Sequence, residues 1–183
     1  SGDMAATNEF RMSAARYEEL KKELDKIYND CKSLDLNYDG TKVDENGKPE
    51  PEYFTKEEKF QINEAYEDAA KVLRNSKSTA AESYQAQQEA IKAIQLIQKT
   101  TTEAYDKSLA AFRENLNKLP DDETLITKGE GSIAKTLLDT YDSMNAYQQK
   151  KLVTKVEYAK CEKIKNYMQE LAAAGKDLPD AKK

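Results

Sequence analysis

The sequence contains no histidine and no tryptophan, and its 183 residues include only six glycines, four prolines and two cysteines. Without histidine the chain cannot form a serine–histidine or cysteine–histidine pair for nucleophilic catalysis. A glycine-rich phosphate loop is also missing, because Gly129-x-Gly131 is short and follows no predicted strand. We therefore expect a protein that is not an enzyme and has no catalytic, cofactor-binding or metal-binding residues.

The sequence also lacks long apolar runs and an excess of basic charge. No run approaches the roughly 18 apolar residues of a transmembrane helix, so we expect no membrane span. The net charge is −5, whereas nucleic-acid binding needs clustered lysine and arginine. No signal peptide is visible, and Met4 follows Ser1-Gly2-Asp3. We expect a monomeric piece of a longer protein, with neighbouring domains as partners.

The two cysteines, Cys31 and Cys161, fall on or beside the apolar stripes of two predicted helices. Free cysteine usually behaves as a small buried hydrophobe. A disulfide would need the two Cα atoms to lie within about 7 Å. Because the two helices belong to different predicted bundles, we expect both cysteines to be buried and free.

The chain is organised around a stretch from Ser78 to Leu119 that contains no glycine or proline. Thr79 and Glu82 form a capping box at its start, and Pro120 ends it. Its large or apolar side chains recur every three, four or seven residues, which predicts one stripe of a single helix about 60 Å long. They are Tyr84, Ile91, Ile94, Ile97, Tyr105, Leu109, Phe112, Leu116 and Leu119.

Three consecutive threonines, Thr100 to Thr102, interrupt this stretch with poor helix formers. The cost of the triplet is at most about 2 kcal/mol in total. Burial of the flanking apolar residues is worth about 1.5 to 3 kcal/mol per side chain. Packing therefore predicts an unbroken helix.

Four further helices are predicted. The first runs from about Asn8 to Leu34, the second from about Lys56 to Arg74, and the last two lie between Thr127 and Gly175. The predicted inward residues are Ala14, Tyr17, Leu20, Leu24, Ile27, Cys31 and Leu34; Ile62, Ala65, Tyr66, Ala69, Val72 and Leu73; Ile133, Leu137, Tyr141 and Met144; and Val156, Ile164, Tyr167, Met168 and Leu171.

The expected fold is all-α, with two three-helix bundles in series that share one long central helix. The first bundle comprises residues 1–99, with a long inserted loop at 35–54, and the second comprises residues 100–175. Residues 176–183 are predicted to form a frayed tail.

The inserted loop contains Asp35-x-Asn37-x-Asp39-Gly40, which matches the front half of a calcium-binding loop. The back half does not match, because the twelfth position is Asn46 rather than a bidentate glutamate. Aspartate, asparagine and glycine also build ordinary polar turns. We favour the turn, with a calcium site as the alternative.

The same loop carries aromatic residues and a turn signal. Asn46-Gly47 could close a small hairpin between Thr41–Val43 and the residues after Lys48. Tyr38, Tyr53 and Phe54 could contact a sugar ring or a protein partner. We favour the alternative, in which the aromatic side chains fold back as a lid over the end of the bundle.

Several segments of the first half form a recognisable pattern at the end of the loop, the end of the second helix and the start of the third. These segments are Tyr53-Phe54-Thr55, Ala69-Ala70-Lys71-Val72-Leu73, Asn75, Thr79-Ala80-Ala81-Glu82 and Ala90-Ile91-Lys92-Ala93-Ile94. With them the first half resembles the FIVAR module of Gram-positive bacterial surface proteins. The long loop after Leu34 departs from that module.

The second half contains a further ordered set of segments, Leu119-Pro120, Tyr141-Asp142-Ser143-Met144, Gln149-Lys150-Lys151-Leu152-Val153 and Tyr158-Ala159-Lys160. With these segments it resembles a three-helix repeat that often accompanies FIVAR modules. Together the two resemblances imply an extracellular, cell-surface or secreted setting, often as an accessory part of an adhesin or a glycan-degrading enzyme.

Two functions agree with this setting. The chain is expected to be a structural spacer or stalk that holds another domain away from the cell wall. The alternative is an adhesin-like binding module for a host extracellular protein or a glycan. A stalk needs only a rigid central helix, whereas binding needs an exposed aromatic or apolar patch larger than the few hundred Å² common on monomers.

Overall fold

A computed structural model describes residues 13–34 and 43–181 of the chain. Within these ranges the protein is all-α, as predicted, and the β pairing is limited to one antiparallel bridge between Val43 and Pro49. The α-helices are α1 (Ala14–Leu34), α2 (Lys56–Arg74), α3 (Ala80–Lys118), α4 (Gly131–Ser143) and α5 (Lys155–Ala173). Two 3₁₀ turns (Glu123–Leu125 and Lys128–Glu130) precede α4, and a π-helical segment (Gln148–Leu152) precedes α5.

The chain divides into two compact units, the first ending at Thr102 and the second beginning at Glu103. This boundary lies inside α3. The first unit contains α1, α2 and the first part of α3, and the second contains the rest of α3 with α4 and α5.

Helix α3 continues without a break through the threonine triplet, as predicted, although threonine is a poor helix former. Thr101 is buried and donates a hydrogen bond to the Glu58 carboxylate. The Thr102 hydroxyl forms a hydrogen bond with the Tyr53 hydroxyl. The start of α2 and the residues just before it therefore contact α3 at the threonine triplet.

Side-chain caps mark the starts of α2 and α3, as predicted for α3. At the start of α2 the Thr55 side chain accepts from the Glu58 backbone, and the Glu58 carboxylate accepts from the Thr55 backbone. At the start of α3 the Thr79 side chain accepts from the Glu82 backbone at 3.1 Å. Asn75 ends α2 as predicted.

The core of the first unit includes Leu24, Ala69 and Ala90 from its three helices. The prediction of an inward side chain is wrong at two positions, because Ala14 is exposed and Tyr84 is 49 % exposed. In the first turns of α3 the buried residues are Ser83, Gln87 and Ala90 instead. Tyr84 instead lies at the surface, where the Arg16 guanidinium is 6.0 Å from the centre of its ring.

The core of the second unit comprises Phe112, Leu116, Leu119, Ile126, Ala134, Leu137, Met144, Val153, Cys161 and Ile164. The prediction that Val156 points inward is wrong, because it is 81 % exposed. The capping box formed by Thr154 and Glu157 fixes where α5 begins. That start places Val153, just before the cap, in the core and turns Val156 outward.

The prediction of a frayed tail is wrong for the described part of residues 176–183. Gly175 adopts a φ of 64°, which favours glycine, and reverses the chain after α5. Leu178 then packs against the core, and the Pro179 carbonyl accepts from the Lys128 amide at 2.8 Å. A Cβ at Gly131 would lie 3.2 Å from Leu178, so glycine leaves room for this docked segment.

Candidate binding pocket

A pocket of about 300 Å³ lies between α1 and α2, which pack against each other in the first unit. This volume is at the lower end of the range of small-ligand sites. We call it the α1–α2 pocket. It is lined by Tyr28, Cys31, Lys32, Phe54, Lys59, Ile62 and Asn63. On each helix the lining positions are spaced by three and one residues, so each set lies on a single face.

The base of the α1–α2 pocket is apolar. Cys31, Phe54 and Ile62 are at most 4 % exposed. Phe54 is held by an edge-on contact with Tyr53, with ring centroids 4.9 Å apart. Tyr53 and Phe54 are both buried, which confirms that these two aromatic side chains fold back onto the bundle. Tyr38 lies outside the described residues.

One wall is aromatic and fixed in place. The Tyr28 ring stacks on Tyr66 with a centroid separation of 4.3 Å, and its hydroxyl donates to the Asn63 side chain at 3.1 Å. The Tyr66 hydroxyl donates to Asp25 at 2.7 Å, and this hydrogen bond is the main cause that raises the pKa of Tyr66. Both rings are thus anchored at their polar ends, and the wall is preorganised.

The rim carries positive charge. The ammonium of Lys32 lies 5.3 Å from the centre of the Tyr28 ring, in a cation–π contact. Lys59 forms an ion pair with Glu52, with Nζ and Oε2 2.9 Å apart. Asn63 adds an amide group between the two helices. An anionic group at the rim would therefore meet the Lys32 ammonium and the Asn63 amide, beside the Lys59–Glu52 ion pair.

The thiol of Cys31 is a poor nucleophile in this setting. Burial, with a smaller effect of Asp30, raises its pKa to about 11. The thiolate is the reactive form of cysteine, so the pocket is suited to binding rather than to covalent chemistry. Within the described ranges no group of three or more histidine, cysteine or acidic residues could hold a metal ion.

A second groove of about 290 Å³ lies between α2 and α3. Its lining consists mainly of alanines, with Asp68 and Glu89 as the charged residues. Small aliphatic side chains provide neither a deep recess nor donors that could orient a ligand. The α1–α2 pocket, which combines an aromatic wall, an apolar base and a charged rim, is the stronger candidate.

The pocket was only partly indicated by the sequence. Phe54 was identified as an aromatic residue beside the loop, and it lines the pocket. Asp35, Asn37 and Asp39, the residues of the calcium-like motif, lie outside the described residues. The signal that would have indicated the pocket is the repeated spacing of Tyr28, Cys31 and Lys32 on α1 and of Lys59, Ile62 and Asn63 on α2.

No helix in the described part of the chain is both long and apolar enough to cross a membrane. Comparison of the chain with protein-family models, with curated proteins and with solved structures gave no match.

Proposed function

We propose that the chain is a non-catalytic helical module that serves as a structural spacer in a larger bacterial surface or secreted protein. The observation that carries this proposal is α3, which extends from Ala80 to Lys118 and contains the boundary between the two units. Glu58 and Tyr53 hold α3 at the threonine triplet, next to that boundary. A spacer requires a central helix that resists bending even at the residues with the lowest helix propensity, here the threonine triplet.

The extracellular setting rests on the resemblance to FIVAR modules and their accompanying repeat. The residues of that resemblance are largely those that start and end helices, such as Thr55, Asn75 and Thr79. A spacer needs no active site, which agrees with the absence of histidine from the sequence.

Distance measurements between spin labels test the spacer role directly. One label is attached to an exposed position of α2, such as Lys71, and the other to an exposed position of α5, such as Lys163. Cys31 and Cys161 are replaced by alanine to prevent labelling elsewhere. A spacer predicts one narrow distance distribution. A broad distribution would show that α3 acts as a hinge, and the spacer role would be abandoned.

The second candidate function is a binding module for a host extracellular protein or a glycan. The observation in its favour is the α1–α2 pocket, because its fixed aromatic wall and charged rim have no evident role in a spacer. A glycan array and affinity capture from host extracellular fluid test this function. Asn63→Trp, which obstructs the rim, should abolish binding, whereas Gln61→Trp on the same helix should leave it unchanged.

A further inference from the structure

We propose that the α1–α2 pocket binds a compact apolar group that carries a carboxylate. This inference rests on the binding role given above as the second candidate function, and it names the class of ligand. The ligand chemistry has two sources, the carboxyl-terminal residue of a protein chain and a free small carboxylic acid.

The apolar half of the ligand is specified by the base of the pocket. Cys31, Phe54 and Ile62 offer carbon and sulfur surface, and Ile62 and Phe54 are almost fully buried. A cavity of about 150 Å³ with such a lining is enough to hold a benzene molecule, and this pocket measures about 300 Å³. One aromatic or branched side chain therefore fits, with room for a short polar attachment.

The carboxylate is specified by the rim. Lys32 lies on α1, one residue beyond Cys31, and Lys59 lies on α2, three residues before Ile62, so both ammonium groups border the apolar base. Among the residues that the structure describes, the side chain in contact with the Lys32 ammonium is the Tyr28 ring and not a carboxylate. An incoming carboxylate can therefore pair with Lys32 without displacing a protein carboxylate there.

A neutral sugar is a poorer match for this pocket. Sugar hydroxyls need several donors and acceptors, because burying them unpaired costs free energy. The pocket offers polar groups only at its rim, and the Asn63 carbonyl oxygen already accepts from Tyr28. The chemistry of the lining therefore favours an apolar group with a single charged end.

The two cysteines provide a direct test, because Cys31 lines the pocket while Cys161 lies in the core of the second unit. The full chain is treated with excess methyl methanethiosulfonate at pH 8, and the modification of each thiol is followed by mass spectrometry over hours. Both reactions are expected to be slow, and the two thiols are matched, because burial raises the pKa of each to about 11. The probes are 3-phenylpropionate, its neutral analogue 3-phenylpropanamide, and the tripeptide Gly-Gly-Phe with a free or an amidated carboxyl terminus.

We expect 3-phenylpropionate to slow the modification of Cys31 and not that of Cys161, and the neutral analogue to act only at higher concentration. Lys32→Gln should weaken the effect of the carboxylate about two- to fivefold, the range of a partly exposed ion pair, and leave the neutral analogue unaffected. Asn63→Trp should abolish protection, with Gln61→Trp as the matched control. Tighter binding of the free-carboxyl tripeptide than of 3-phenylpropionate would identify a protein chain end as the source.

Equal protection by the carboxylate and by its neutral analogue overturns the proposed ligand class. Protection of Cys31 by a neutral glycan alone also overturns it, but leaves the binding role in place. If no probe protects Cys31 while the array and the capture experiment find no ligand, both the ligand class and the binding role are wrong.

Discussion

Glu58 connects the start of α2 to the middle of α3 through Thr101. One carboxylate oxygen accepts from the Thr55 backbone amide at 2.9 Å, and the other accepts from the Thr101 hydroxyl. A residue that caps its own helix thus also fixes a neighbouring helix, at a threonine that is 7 % exposed. Tyr53 adds a second connection at Thr102.

Thr101→Val should destabilise the first unit by about 1 to 2 kcal/mol. The substitution keeps the size and branching of the side chain but removes the donor to the Glu58 carboxylate, leaving a partly buried acceptor without that partner. The measurement is the free energy of unfolding in urea. Thr100→Val, at an exposed position in the same triplet, is the control and should change this value by less than about 0.5 kcal/mol. Equal effects would show that helix propensity, not the hydrogen bond, matters here.

Thr101→Pro should cost about 3 kcal/mol or more, because proline removes a backbone donor and clashes with the preceding turn. It should also broaden the distance distribution between spin labels on α2 and α5. The comparison is with Thr101→Val, which removes the same hydroxyl but keeps the backbone amide. An unchanged melting temperature and an unchanged distribution would mean that α3 bends at the triplet in the native chain.

Lys160→Met should destabilise the second unit by about 1 to 3 kcal/mol. The Lys160 ammonium donates to the carbonyls of Leu116 and Leu119, each at 2.7 Å, and so caps the end of α3. Methionine keeps the length of the side chain but leaves these carbonyls without that donor. Lys155→Met, at an exposed position of α5, serves as control. Calorimetry that finds equal effects would contradict the capping role.

Glu157→Gln should lower stability at neutral pH and have no effect in strong acid. The hydrogen bond from Arg113, at 2.7 Å, is the largest cause that holds the pKa of Glu157 below its ordinary value of 4.5. A carboxylate with a lowered folded-state pKa contributes stability above the unfolded-state pKa, and that contribution is lost as the pH falls through the folded-state pKa. Urea unfolding between pH 2 and 7 measures the difference. Glu170→Gln, at an exposed position of the same helix, is the control.

Removing residues 177–183 should expose the Lys128 amide. In the full chain this amide donates to the Pro179 carbonyl at 2.8 Å, and Leu178 covers the adjacent core. Hydrogen exchange followed by NMR should therefore show a protected Lys128 amide that exchanges at least about tenfold faster after truncation. Fast exchange in the full chain would restore the original prediction of a frayed tail.

The helices could be predicted from the sequence because short local motifs mark where they begin. Thr55 with Glu58, and Thr79 with Glu82, satisfy backbone groups within one turn, so no tertiary contact is needed to recognise them. Thr154-x-x-Glu157 carries the same signal at the start of α5. A helix that begins at this cap would have been predicted to turn Val156 outward.

The orientation of individual side chains and the pocket depend on distances between helices, which periodicity does not encode. Tyr84 shares the spacing of the apolar stripe, but the buried side chains at that level of α3 are Ser83 and Gln87. The α1–α2 pocket likewise exists because two faces meet at a particular separation. Each face by itself has an ordinary sequence pattern.

The buried side chain of Gln87 affects how α1 is aligned along α3 in the first unit. It is fully buried in α3 and donates to the Glu23 carboxylate of α1 at 2.8 Å. If α1 slid by one turn along α3, the carboxamide would remain in the apolar interior without this acceptor, and such a loss is expensive. Gln87 therefore penalises this misalignment of α1 against α3 through a polar group, in addition to what the apolar core contributes.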